Sequence, residues 1–210
     1  MKKIFTAAIL LLTLCSLCSA AENAINIPLQ DTSNMIQEFS ATFVEKFFDE
    51  VQTGKLYVTK DRTRYEISGK DEIIVTRADQ KVLWLIFPKF RAYVEQPYDI
   101  PQSESFGRPE EFKTGNLSRE FIDYEWEDSY RLRKFLVTVK YGVDQQDQYY
   151  EWYRDNFPLP LRTQSLDGQV SYEYKEIKLK TPDPALFAKP PRYKKVTLEE
   201  IMEMEEKSRK

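Results

Sequence analysis

The 210-residue sequence has no histidine and only two cysteines, Cys15 and Cys18. Without histidine there is no general base of the usual kind, no imidazole metal ligand and no Ser/His or Cys/His catalytic arrangement. Nor is there an excess of basic charge. Lysine and arginine number 31 against 34 acidic residues, a formal net charge of −3, which excludes the basic face that nucleic-acid binding needs. A long hydrophobic run is also missing: Ile4 to Leu14 is too short to span a bilayer.

That short run instead completes an export signal over residues 1–21. Lys2 and Lys3 supply the positive start, and "CSAAE" the small residues for cleavage after Ala20 or Ala21. The competing reading, a lipid anchor at Cys15 or Cys18, meets Leu14 and Leu17 where that processing requires a small residue. With the signal removed, the chain keeps no cysteine in a compartment where disulfides persist, so its core has to supply its stability. It then carries 29 basic and 34 acidic residues, about −5.

The rest of the chain reads as one mainly β domain over residues 38–196, after a lead-in segment at 22–37. Turn signals at Gln52-Thr53-Gly54, Lys60-Asp61, Ser68-Gly69-Lys70, Asp79-Gln80, Pro88-Lys89, Asp128-Ser129, Gly142 to Gln146, Asp155-Asn156 and Asp167-Gly168 punctuate runs rich in Val, Ile, Tyr, Phe and Thr. Roughly eleven strands result. "FSATFVEKFF" fits both a helical stripe and strand alternation and is assigned to a strand, behind a short helix or loop near 31–37. Residues 96–118, with Pro97, Pro101 and Pro109, read as a long loop of the kind that often forms a lid.

Three runs carry most of the information about faces. In "VLWLIF", residues 82–87, no residue is polar, so both sides of that strand must be covered. One side would line the hollow of a curled sheet, the other a helix, loop or partner. In "FIDYEWED", alternation places Ile122, Tyr124 and Trp126 on one side and Asp123, Glu125 and Glu127 on a solvent face; the carboxylates are read neither as an acid/base pair nor as a calcium site. In "QVSYEYKEIKLK", the apolar phase slips after Val170, Tyr172 and Tyr174 to Ile177 and Leu179, which marks a β-bulge near Lys175 or Glu176. At the C-terminus, residues 197–210 read as a charged helix, with Thr197 and Glu200 at capping-box spacing and an apolar stripe of Leu198, Ile201 and Met202.

"RTRYEISGKDEIIVTRADQKVLWLIFPKFRAYVE" and "DNFPLPLRTQSLDGQVSYEYKEIKL" with "PDPALFAKPPRYKKV" resemble the LolA/LolB-like lipoprotein-carrier superfamily. That resemblance implies a single-domain, half-open antiparallel β-barrel around an apolar cavity, with a loop or helical lid formed by residues 96–118 or by the N-terminal segment. It implies ligand-binding roles for Arg64, Tyr65, Trp84, Phe87, Tyr93 and Trp126, with Arg64 holding the lid through its carbonyls and Arg62 as a rival for that role. It implies a monomeric periplasmic carrier or binding protein for lipoprotein acyl chains or another amphiphile, sorting cargo to the outer membrane with the aid of inner- or outer-membrane transfer partners. The alternative is an envelope sensor or assembly module that binds a protein through the same fold. No catalytic residue, metal or cofactor is expected. The C-terminal helix departs from the carriers' pattern. A dry internal cavity would favour the carrier and an exposed aromatic patch the sensor.

Overall fold

The computed structural model describes residues 38–98, 117–127, 129–140, 146–157 and 159–209. The expected export signal, the expected lead-in segment with its short helix or loop, and residues 99–116 of the expected lid lie outside the described residues. Twelve strands follow in chain order: β1 (Phe39–Phe47), β2 (Glu50–Thr59), β3 (Arg62–Ile67), β4 (Ile73–Arg77), β5 (Val82–Phe87), β6 (Ala92–Pro97), β7 (Leu117–Glu127), β8 (Tyr130–Lys140), β9 (Gln146–Arg154), β10 (Arg162–Ser165), β11 (Val170–Lys178) and the two-residue β12 (Lys194–Lys195). A single described α-helix, α1 (Leu198–Ser208), ends the chain.

The chain divides into two compact units, one of residues 35–101 with 172–210, the other containing residues 102–171. In the first the strand order is β12-β6-β5-β4-β3-β2-β1-β11, and in the second β10-β9-β8-β7. Neither order closes on itself. As expected, the fold is mainly β, an antiparallel sheet apart from the parallel β12–β6 pair, with a C-terminal helix.

Phe39, Ala41 and Phe43 of β1 are buried and alternate with half-buried neighbours, which settles that run as a strand. Most expected turns among the described residues hold, with 3-10 turns at Ala78–Gln80 and Pro88–Phe90 closed by left-handed Lys81 and Arg91; Asp128 and residues 142–145 of two others lie outside the described residues. One expected turn does not hold. Gln52, Thr53 and Gly54 lie inside β2, and the β1–β2 turn falls at Phe48 and Asp49, where Phe48 itself takes the left-handed conformation. The expected bulge in β11 is marked by Glu176, left-handed at φ 51°, whose carboxylate accepts hydrogen bonds from Thr42 (2.6 Å) and Lys55 (3.1 Å).

Both faces of β5 are covered, as its unbroken apolar run requires. Trp84 and Ile86 pack with Val75, Tyr93 and Phe187, the last on a 3-10 turn at Pro184–Phe187. Phe87 packs with Ala92, Val94, Val196 and Ile201 of α1. The capping box of α1 forms in full: Thr197 N donates to the Glu200 carboxylate (2.7 Å) and Glu200 N to the Thr197 hydroxyl (3.2 Å). Its docking stripe differs from the expected one. Ile201 is buried with Met204 beside it, whereas Leu198 and Met202 are exposed.

In the second unit, β7 has an irregularity between Phe121 and Asp123 that leaves Ile122 out of register with β8. The extra residue reverses the phase. Phe121, Tyr124 and Trp126 therefore share a face, with Phe121 edge-on to Tyr124 at 5.0 Å. This corrects the simple alternation of Ile122, Tyr124 and Trp126. It also corrects the solvent face: Tyr124 and Trp126 are exposed, while Glu125 is partly buried and accepts from Lys134 (2.9 Å) and the Trp152 indole N–H (2.7 Å).

Candidate functional site

Strand register sorts the side chains of the first unit into two faces. Phe39, Ala41 and Phe43 lie opposite Val58, Leu56 and Gly54 of β2. These in turn lie opposite Thr63, Tyr65 and Ile67 of β3. The row continues through Ile74 and Thr76 to Leu85 and Leu83 of β5, and then to Val94 and Gln96. Phe87, two residues from Leu85, lies opposite Ala92. This face is almost wholly apolar. Tyr65 stacks on Phe43 at 4.2 Å and Phe43 on Tyr172 of β11 at 6.0 Å, so aromatic rings continue across the sheet. Phe39, Phe43, Leu56 and Tyr65 are all buried.

A polar cluster ends that face. The Tyr65 hydroxyl donates to Glu45 (2.8 Å), Gln52 donates to the other Glu45 oxygen (3.0 Å), and Lys70 donates to Gln52 (2.6 Å). Burial raises the Glu45 pKa against the lowering effect of these bonds. Burial, then the Glu45 charge, raises that of Tyr65.

The opposite face carries Tyr57, Arg64, Val75, Trp84 and Glu95 in one register row. Here Arg64 donates through Nη1 to the carbonyl of Leu186 (2.9 Å) and through Nε to Glu66. Arg77 donates to the carbonyl of Phe187 (3.0 Å) and makes a two-pronged pair with Asp79 (2.7 and 2.8 Å). Two guanidinium forks thus hold the turn at Pro184–Phe187 over Val75 and Trp84. The rival Arg62 pairs with Asp79 instead (3.3 Å). Trp84 is 3 % exposed. Its indole N–H donates to Glu95 (3.0 Å), and the Arg77 guanidinium and Lys189 ammonium lie 5.9 and 5.7 Å from its ring centre. Bonds from Lys195 and then Trp84 lower the Glu95 pKa to about 2.

The six residues expected at the ligand site are therefore not brought together. Tyr65 and Phe87 lie on the apolar face. Arg64, Trp84 and Tyr93 lie on the other, beneath Phe187. Trp126 belongs to the second unit and is 73 % exposed. The lid carbonyls expected for Arg64 lie outside the described residues; the carbonyl it meets is that of Leu186. Residues of the apolar face that the sequence reading passed over, Phe39, Phe43 and Leu56, were accessible through strand alternation in "FSATF" and "KLYVT".

This placement gives a test of what Arg64 does. Arg64→Leu should unlatch the Pro184–Phe187 turn, lowering stability by about 1.5–3 kcal/mol, the worth of hydrogen bonds to a charged group. Amide exchange should quicken at Leu186 and Phe187, and Arg64→Lys should restore little, since a point charge does not reproduce the fork. Unchanged exchange at both amides in Arg64→Leu would remove the latch role.

In the second unit the buried carboxylate is Glu151, 2 % exposed. It accepts from Arg119 Nε (2.7 Å) and from the Tyr153 hydroxyl (2.9 Å). On the other side of that sheet, Lys134 and Arg162 lie 5.0 and 4.1 Å from the Trp152 ring centre and share Glu125 as acceptor. Arg162 also pairs with Glu127 (3.5 Å), so both clusters are internally neutralised. Among the described residues, no group of three or more His, Cys, Asp or Glu side chains is placed to hold a metal ion.

No family model and no curated protein matches the sequence. Two solved structures place the fold, and a third is more distant. An uncharacterized conserved protein from Thermus thermophilus superposes with a TM-score of 0.52 at 15% identity, over 79% of this chain and 93% of that one. MucB in a Pseudomonas aeruginosa MucA/MucB complex superposes with a TM-score of 0.51 at 10% identity, over 80% of this chain and 60% of that one. A LolA superfamily protein from Nitrosomonas europaea matches loosely, with a TM-score of 0.31 at 14% identity, over 73% of this chain and 90% of that one. The chain thus spans less than two thirds of the MucB length, and the likeness it shares with the first two proteins is one of fold.

Proposed function

We propose that this protein is an exported, monomeric binding protein of the periplasm that holds the acyl chains of lipidated or amphiphilic cargo, as in lipoprotein sorting, and catalyses no reaction. The observation that carries the reading is the apolar face of the first unit, where Phe39, Phe43, Leu56, Tyr65, Leu85 and Phe87 follow one another across adjacent strands. Each methylene taken from water is worth about 0.8 kcal/mol, so a long acyl chain on such a face brings on the order of 10 kcal/mol. Phe39, Phe43, Leu56, Tyr65 and Phe87 are buried and Leu85 half-buried, so cargo has to displace their cover, and the free energy of opening keeps net affinity low enough for release. Binding of this kind needs positioned apolar surface rather than a reactive group.

Purifying the protein from its native envelope without detergent and analysing organic extracts by mass spectrometry tests the reading. Near-stoichiometric lipid, together with saturable uptake of a fluorescent fatty acid by the delipidated protein, is the expected result. A folded protein that yields no lipid and takes up no fatty acid would rule the carrier out.

A further inference from the structure

The apolar face is covered at its β5–β6 end by the chain's own C-terminal helix. There Leu85, Phe87, Ala92 and Val94 pack with Val196 and with Ile201 and Met204 of α1. Leu85, Phe87 and Val94 belong to the same face as Phe39, Leu56 and Tyr65. The helix therefore stands on part of the surface that an acyl chain needs.

Its hold there is slight. Ile201 is the single buried residue of the eleven in α1, Met204 is partly buried, and the remaining apolar side chains, Leu198 and Met202, face solvent. Glu203 and Glu205 pair with Lys207 and Arg209 one turn on (3.3 and 3.6 Å), and the Ser208 hydroxyl accepts from Lys89 at an exposed site (3.0 Å). One approach is repulsive. Burial raises the pKa of Glu72, just ahead of β4; Lys70 opposes the rise and Glu205 adds to it, so the two carboxylates are close enough to repel.

The segment before the helix is better anchored. Lys194 and Lys195 pair with Ala92 and Tyr93 of β6, and the buried Val196 donates its N–H to the Tyr93 carbonyl (3.0 Å). A chain fixed as far as Val196 and weakly docked beyond Thr197 has its hinge between them. Off the sheet, an eleven-residue helix is too short to be stable alone, so release would also melt it.

We propose that α1 is a displaceable cover of the acyl-binding face, seated on Leu85, Phe87 and Val94 in the empty protein and replaced there by the acyl chain of the cargo. This rests on the carrier function proposed above and names the cover that cargo displaces. Apparent affinity is then set by the fraction of molecules in which α1 is off the sheet.

Titrating the protein and three variants, Ile201→Glu, Met202→Glu and Glu72→Gln, with N-phenylnaphthylamine, an uncharged dye that brightens in apolar surroundings, tests the proposal alongside hydrogen exchange at the α1 amides. Ile201→Glu should bind about tenfold more tightly, because the competing side chain no longer docks. Met202→Glu puts the same charge on the exposed side and should bind as the parent does. Glu72→Gln removes the repulsion that loosens α1 and should bind about threefold more weakly. In the parent, saturating dye should quicken exchange at the Met204 and Glu205 amides, a readout that decides the matter even if Ile201→Glu does not fold. Dye binding that leaves those amides unchanged, or an equal gain in Met202→Glu, would remove α1 as the cover and leave the carrier function standing. Failure of every folded variant and of the parent to bind the dye would refute both.

Discussion

Replacing Glu151 by methionine should lower the free energy of unfolding by about 3–5 kcal/mol, the usual cost of removing one member of a buried ion pair. Glu151 is 2 % exposed and the Arg119 side chain 20 %. The two reach toward each other from β9 and β7 across β8, where Glu151 lies opposite Phe135 and Arg119 opposite Val137. Phe135 and Val137 are buried, so little water can replace the lost carboxylate. Burial opposes the Arg119 charge, but Tyr153 and Glu151 outweigh it and hold its proton more tightly than usual. Burial and then Glu151 raise the Tyr153 pKa. Neither group changes charge near neutrality, so the loss should be flat with pH between about 6 and 9. The double variant Arg119→Met/Glu151→Met should recover part of the stability, because it removes both charges but leaves the buried Tyr153 hydroxyl without its Glu151 acceptor. Urea denaturation of the parent, both single variants and the double variant measures the coupling. A Glu151→Met variant within about 1 kcal/mol of the parent would show that the site admits enough water to solvate Arg119.

Much of the fold was legible because its signals are local. Alternation in "FSATF", the capping box at Thr197 and the phase slip before Ile177 each depend on a few neighbouring residues, and each element forms as its residues dictate. The unbroken run at Val82–Phe87 showed that both faces are covered, but not by what. The coverings, Phe187 on one side and Ile201 on the other, lie about a hundred residues downstream, and no periodicity encodes that distance. The candidate site was legible only as a set of residue types. Arg64 and Tyr65 are adjacent in sequence and therefore point to opposite sides of a strand. A reading that joined them at one ligand site had to separate when β3 proved regular. The face of Trp126 was obscured by a different cause. The bulge at Ile122 reverses the phase in a segment whose alternation looks unbroken, since Phe121 and Ile122 are both apolar and either fits the pattern.

Gly54 carries the other large expected effect, and the reason is space rather than conformational freedom. The sequence pattern "QTG" reads as a turn, yet Gly54 lies within β2, with Phe43 of β1 on one side and Ile67 of β3 on the other. It is not among the glycines with positive φ. The Phe43 ring leans over it to stack on Tyr65 at 4.2 Å with an interplanar angle of 12°, joining β1 to β3 across the intervening strand. A Cβ at position 54 would overlap both the Phe43 ring and the main-chain carbonyl oxygen of Glu66. The ring can yield only by giving up its stack on Tyr65, and the carbonyl only by shifting β3. Gly54→Ala should therefore cost about 3 kcal/mol, the upper part of the range for overpacked sites. Gly69→Ala is the informative control. Gly69 has φ +76° and nothing within 4 Å of an added Cβ, so its cost is the left-handed conformation alone, about 1–2 kcal/mol. Adding Phe43→Leu to Gly54→Ala should recover part of the loss by removing the ring, but not the part due to the Glu66 carbonyl, whereas Phe43→Leu in the parent should only destabilise. Urea denaturation of the parent and all four variants separates the terms. Strictly additive losses for Gly54→Ala and Phe43→Leu would show that the ring does not depend on the gap above Gly54, and that the aromatic row linking β1 to β3 is held by other contacts.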